Sequence, residues 1–249
     1  MKREILIEIC VDSIESALAA EKAGAHRIEL CDNLMAGGTT PSMGMLQVLR
    51  KHLRIDINFI IRPRSGDFCY SDFEFQVMKK DIEMAKAYGA DGIVLGILKP
   101  NGEIDLERMK QIIEVSEPLK VTFHRAFDMT RDPLKSLDSL INLGIERILT
   151  SGQESNALKG IDLIKELVHR AGDRIIIMPG AGINDINVEE MVNKTGVREV
   201  HMSAKEKVES IMEYRNSRVA MGGNLIVEEY DNYYTSEETV RRIKEKLKK

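Results

Sequence analysis

The sequence predicts an α/β protein, a (β/α)8 TIM barrel with a C-terminal extension, and three observations predict it. Short β-branched runs alternate with amphipathic helical stretches, the pattern of repeated βα units around a parallel sheet. The runs number eight, at 5–11, 27–31, 57–62, 92–97, 120–124, 147–150, 174–178 and 199–203. Glycine recurs after the helical stretches, where a left-handed cap turns the chain toward the next strand. At 249 residues the chain has the length of one such barrel, read as a single domain over 1–249.

In the first strand Ile5, Ile7, Ile9 and Val11 share one face and Leu6, Glu8 and Cys10 the other. The all-apolar face belongs under the helices, so Glu8 and Cys10 point into the barrel. Asp12-Ser13 offers an N-cap to a helix over 13–23, and Gly24 follows it. By the same alternation the second strand turns Ile28 and Leu30 out and Glu29 and Cys31 in. A helix over 43–52 leads to the third strand, with Ile57, Phe59 and Ile61 outward and Ile60 and Arg62 inward. Helix 72–88 precedes the fourth strand, and helix 106–116 the fifth, where Thr122 and His124 face in. Asp132-Pro133 opens a helix over 133–143 ahead of the sixth strand, since Pro suits the first helical position. Helix 157–169 precedes the seventh strand and helix 188–193 the eighth, which turns His201 and Ser203 inward. The stretch 205–234, with Met221-Gly-Gly-Asn224, reads as irregular, and a charged helix begins near Ser236. No linker separates this 205–249 extension from the barrel. An open doubly wound sheet fits less well, because Cys10-Val-Asp-Ser13 lacks the glycines of a dinucleotide-binding turn.

Composition narrows the function classes. The net charge of −4 is spread without long like-charge blocks, so no basic face is set up for nucleic acid. Glu8 and Asp12 interrupt the first apolar run, and no window approaches the roughly 18 apolar residues of a membrane span. Three cysteines without CxxC spacing argue against a disulfide scaffold and a zinc ribbon. A cytoplasmic protein with free thiols is expected.

Charged residues on inward faces mark the candidate site. Buried carboxylates are costly unless paired, so Glu8 and Glu29 require a cation, a metal or a shared proton, and Arg62 is the expected partner. Arg62 and Arg64 flank Pro63 and could aim guanidinium forks at a carboxylate or phosphate. Gly180 and Gly182 follow the seventh strand and Ser203 and Lys205 the eighth, where such barrels often hold phosphate. These observations outline an enzyme for a small anionic metabolite, phosphorylated ones included: Glu8, Glu29 and His124 move protons while Arg62, Arg64, Gly180, Gly182, Ser203 and Lys205 bind. No organic cofactor is expected. Cys69, in the loop after the third strand, reads as structural.

The segments Glu8-Ile-Cys-Val-Asp-Ser13, Arg27-Ile-Glu-Leu-Cys31, Gly37-Gly-Thr-Thr-Pro-Ser42, Ile61-Arg-Pro-Arg-Ser-Gly-Asp67, Thr122-Phe-His-Arg-Ala-Phe-Asp128, Leu149-Thr-Ser-Gly152, Met178-Pro-Gly-Ala-Gly-Ile183 and Arg215-Asn-Ser-Arg-Val-Ala-Met-Gly222 together resemble the CutC family. They occur in the family's order over nearly the whole chain. The resemblance implies a cytosolic barrel of copper homeostasis, a homo-oligomer such as a dimer or tetramer, and Cu(I) as the metal, with Cys10 and Cys31 as its ligands. Adjacent parallel strands lie about 4.8 Å apart, so two thiolates at one level could hold a soft cation between them.

Overall fold

Strands buried on both faces and capped helix ends build the architecture. The computed structural model of the chain describes residues 4–219 and 228–248. Strands and helices alternate as β1 Leu6–Val11, α1 Ile14–Ala23, β2 Arg27–Leu30, α2 Met43–His52, β3 Asp56–Ile60, α3 Asp72–Ala87, β4 Gly92–Leu95 and α4 Leu106–Ser116. They continue as β5 Lys120–Phe123, α5 Pro133–Asn142, β6 Arg147–Thr150, α6 Ile161–Ala171, β7 Ile176–Pro179, α7 Val188–Thr195 and β8 Glu199–Met202. All eight expected strands lie parallel in one sheet of order β7-β6-β5-β4-β3-β2-β1-β8, and its two end strands also lie beside each other. This is the (β/α)8 barrel.

The outward residues Ile7, Ile9, Val11, Ile28, Ile57 and Phe59 are fully buried against apolar helix faces. Ser13 caps α1 by accepting from the Ser16 N–H, and Asp132 caps α5 from Lys135 with Pro133 in the first turn. Gly24 ends α1 in the left-handed region at φ 90°, where a side chain would be strained.

The extension differs from its expected irregular form. Lys205–Glu209 (β9) and Asp231–Thr235 (β10) pair antiparallel as a two-stranded ribbon, mostly exposed and accordingly rich in polar residues. Glu237–Leu247 (α8) then packs against α1 and α7 and buries Val240 and Ile243 in the same apolar layer. Met221-Gly-Gly-Asn224 and the end of the Arg215–Gly222 motif lie outside the described residues. Among the described residues no helix is long and apolar enough to cross a membrane.

Candidate functional site

Inside the barrel the charged side chains form a paired layer. Glu8 on β1 accepts from Arg27 Nε on β2 and from Asn58 Nδ2 on β3 at 3.1 Å. Arg27 Nη2 also donates to Glu199 on β8 at 2.6 Å, and Glu199 takes a two-pronged pair from Arg147 on β6. Arg147 Nη1 reaches Thr122 Oγ1 on β5 at 3.0 Å, so the network crosses the lumen. Burial opposes ionisation of Glu8, but Arg27, His201 and Arg147 outweigh it and hold the carboxyl well below the usual range. Glu8 therefore has its cation, and it is Arg27. The expectation that Arg62 would serve is corrected, for β3 ends at Ile60 and Arg62 stands beyond the strand, above the carboxylates.

Above this layer three donors converge. A carboxylate oxygen of Glu29, Cys10 Sγ and a ring nitrogen of His201 all lie within 4.8 Å of one another. The strand registers bring them there, pairing Cys10 with Glu29 and Glu8 with His201. Glu8 Oε1 sits 2.7 Å from His201 Nδ1; because Glu8 is ionised, Nδ1–H donates to it. That contact turns Nε2 toward Glu29 Oε2, 3.7 Å away. Burial works against a charged His201, yet Cys10, Glu8 and Glu29 around it outweigh burial and push its pKa well up. Burial, with the Glu8 charge nearby, pushes Glu29 up as well.

Cys31 corrects a second expectation, that both thiols share one level. Glu29 is the register partner of Cys10, and Cys31 stands two residues further on, its N–H donating to the Val11 carbonyl. Its Sγ donates to Glu29 Oε2 at 3.3 Å, beside the small apolar cluster of Ile60 and Val94. Burial and the Glu29 charge raise the Cys31 thiol well above its ordinary value.

The convergence opens upward into a cavity of about 480 Å³ at the C-terminal ends of the strands. Cys10, Glu29 and His201 lie at its base, Arg62 and His124 along its side, and Gly182 and Ser203 on its rim. The rest of the expected binding set is occupied elsewhere. Arg64 pairs with Glu74 at 2.6 Å and Asp67 at 3.1 Å in its own loop, and Lys205 pairs with Asp12 at 2.6 Å. Gly180 is a packing position, since a methyl group there would stand 2.5 Å from Leu149 and 3.2 Å from His201. Cys69 is half-buried in the loop that Arg64 ties together.

Comparison with known proteins agrees with this architecture. The sequence profile of the CutC family matches residues 5–206. The chain belongs to the CutC family. It is 51% identical over 238 residues to the copper homeostasis protein cutC homolog of Mus musculus, covering 96% of this chain and 88% of that one. A family protein CutC of Bacteroides fragilis is 48% identical over 246 residues, covering 98% and 97%. A crystal structure of a CutC protein from Streptococcus agalactiae superposes with a TM-score of 0.77 at 39% identity, over 80% of this chain and 98% of that one. Phosphoribosylanthranilate isomerase from Thermotoga maritima, at 12% identity and a TM-score of 0.59 over 98% of both chains, shares the fold alone.

Within this CutC barrel, sequence reasoning missed Arg27, Glu199 and Arg147 as lumen residues. The first two carried a usable signal, since Arg27 shares parity with Glu29, and Glu199 with His201. Arg125 and Asp128 were missed as a unit: Asp128 accepts from the Ser151 N–H and hydroxyl at 3.0 and 2.8 Å while pairing with Arg125 at 2.8 Å. That arrangement joins the loops after β5 and β6, and no local pattern announces it.

His124 gives a prediction. Its Nδ1 accepts from the Ala126 N–H at 3.2 Å, and Gly96 leaves room for the ring, since a methyl there would stand 2.7 Å from Nδ1. Burial, then the Arg62 charge, lowers its pKa from 6.5 to about 3. Below pH 6.5 the unfolded chain takes a proton that the folded chain refuses until near pH 3. The stability His124 contributes is therefore complete above pH 6.5 and lost as the pH falls toward 3. By about pH 5 the expected loss is about 2 kcal/mol. Urea unfolding at pH 7.5 and pH 5 checks this: the drop should be smaller by that amount in His124→Asn, which keeps an acceptor for Ala126, and an equal drop in both proteins would contradict it.

Proposed function

We propose that the chain acts in copper homeostasis, the role its named mammalian relatives carry in their names, by taking Cu(I) as cargo at the base of the barrel mouth. The observation that carries this reading is the hold of Glu8 on His201. A carboxylate on one imidazole nitrogen fixes the ring and raises the basicity of the other, the arrangement that surrounds histidine metal ligands. Here the other nitrogen, Nε2, is turned toward Glu29, Cys10 Sγ belongs to the same cluster of donors within 4.8 Å of one another, and sulfur with imidazole is a donor pair that Cu(I) accepts. The donor set fits the ion: Cys10 and His201 are the primary ligands, Glu29 is a third donor, and Cys31, hydrogen-bonded to Glu29, is a second sulfur one step higher. Metal binding displaces the proton that these groups otherwise share.

The three cysteines are free, which supports a cytoplasmic, reducing setting for the cargo. The family resemblance adds homo-oligomerisation of a single-domain chain. Anaerobic titration of the full chain with Cu(I) against a competing chelator tests the reading. One tightly bound equivalent, retained in Cys69→Ser and lost in Cys10→Ser, supports it; equal affinity in Cys10→Ser removes it.

A further inference from the structure

We propose that the barrel mouth also binds a small organic anion, a carboxylate or phosphate ester on an apolar body, with Arg62 and His124 as the groups that hold its charged end. The proposal stands apart from the copper reading and uses none of its ligands.

Arg62 is a buried cation whose charge is unanswered. It is 6% exposed, and its guanidinium donates to the carbonyls of Ala36 at 3.0 Å, Gly38 at 2.8 Å and Gly66 at 3.0 Å. Carbonyls satisfy hydrogen bonds but leave the net charge in place, and among the described residues no carboxylate comes within ion-pair distance of it. The other charges around the cavity answer one another. Arg125 pairs with Asp128 at 2.8 Å, and Glu29 has His201 at 3.7 Å. Arg62 is the surplus. It was placed this way at a structural cost, because a buried ion without a counter-charge is destabilising unless a ligand supplies one.

His124 adds the second observation. It lines the same cavity and is 5% exposed. Since Nδ1 accepts from Ala126, the proton of the neutral ring sits on Nε2, and Nε2 is buried without a hydrogen-bond partner among the described residues. A buried N–H left unpaired costs about 1–3 kcal/mol, which an acceptor on a ligand removes. Phe68 joins the two groups: the Arg62 guanidinium lies 5.1 Å from its ring centre, and the His124 ring meets it edge-on at 4.9 Å. One cation, one neutral donor and one aromatic face thus stand together on one wall of the cavity.

The rest of the cavity specifies the body of the ligand. Leu34, Ile60, Met129, Leu149 and Ile183 line it, and its volume of about 480 Å³ lies in the range of small-molecule pockets. A bare inorganic anion would fill only the charged wall. An anion with an apolar body would use both.

The test uses the metal-free full chain with phenyl phosphate and benzoate as probes, benzyl alcohol as the neutral control and inorganic phosphate as the bare anion. Calorimetry reads affinity, and NMR reads the His124 ring resonances. The expected result is that at least one aromatic anion binds and shifts the His124 ring, benzyl alcohol does neither, and the better of phenyl phosphate and benzoate tells phosphate ester from carboxylate. Arg62→Gln should weaken that binding at least about tenfold, the loss expected for a charge-assisted hydrogen bond. If Arg62→Gln does not fold, the charged and neutral probes on the unaltered chain still decide. Benzyl alcohol binding as well as the anions, no shift of the His124 ring by either aromatic anion, or full affinity in Arg62→Gln would overturn the proposal.

Discussion

Arg27→Met is expected to lose about 3–5 kcal/mol of unfolding free energy, because it strips the buried Glu8 carboxylate of its guanidinium partner. The side chains of Arg27, Glu8 and Glu199 are 5%, 1% and 8% exposed, so solvent screens none of their interactions appreciably. Removing Arg27 leaves Glu199 with Arg147, but Glu8 keeps only Asn58 and His201, and its ionised form loses its largest stabilising neighbour. Methionine fills the volume, so the loss reports charge rather than a cavity. The double variant Glu8→Gln with Arg27→Met should recover part of the loss, since replacing both partners avoids the unpaired ion. Urea denaturation of the three proteins at pH 7.5 measures this. A loss under about 1 kcal/mol in Arg27→Met would mean that the layer does not hold the barrel together.

Cys10→Ser is expected to lower Cu(I) affinity at least about 100-fold, because outer partners of metal ligands alone are worth about 10–100-fold and a sulfur ligand is worth more. Serine is close in size and fits the same strand position, so the barrel should remain folded. Cys31→Ser should have a smaller effect, since the register places Cys31 beyond Cys10 and against Glu29. The same anaerobic competition assay reads both. A larger loss in Cys31→Ser than in Cys10→Ser would move the site upward, away from His201.

The alternation of apolar and polar residues made the barrel and its lumen readable, and Glu8, Cys10, Glu29 and His201 fall inside as that alternation requires. Parity alone does not give register. Whether Cys10 faces Glu29 or Cys31 depends on the stagger between β1 and β2, which no short segment encodes. Nor does parity extend past a strand's end, and this is why Arg62 was assigned to the carboxylates: with β3 ending at Ile60, the chain turns and its guanidinium finds loop carbonyls instead. The pairing of Arg27 and Arg147 with Glu199 joins strands far apart in sequence, and only closure of the sheet brings them together. Lys205 and Arg64 are instead held by acidic partners, Asp12 just after β1 and Glu74 in the first turn of α3, and no local pattern pairs them.

X-ray absorption at the copper edge, on the full chain loaded with one equivalent of Cu(I) under anaerobic conditions, tests the proposed metal centre most directly. A first shell containing sulfur and an imidazole nitrogen is predicted, with the sulfur signal reduced in Cys10→Ser and the imidazole signal absent in His201→Phe. A shell that is unchanged in both variants would place the copper elsewhere in the molecule.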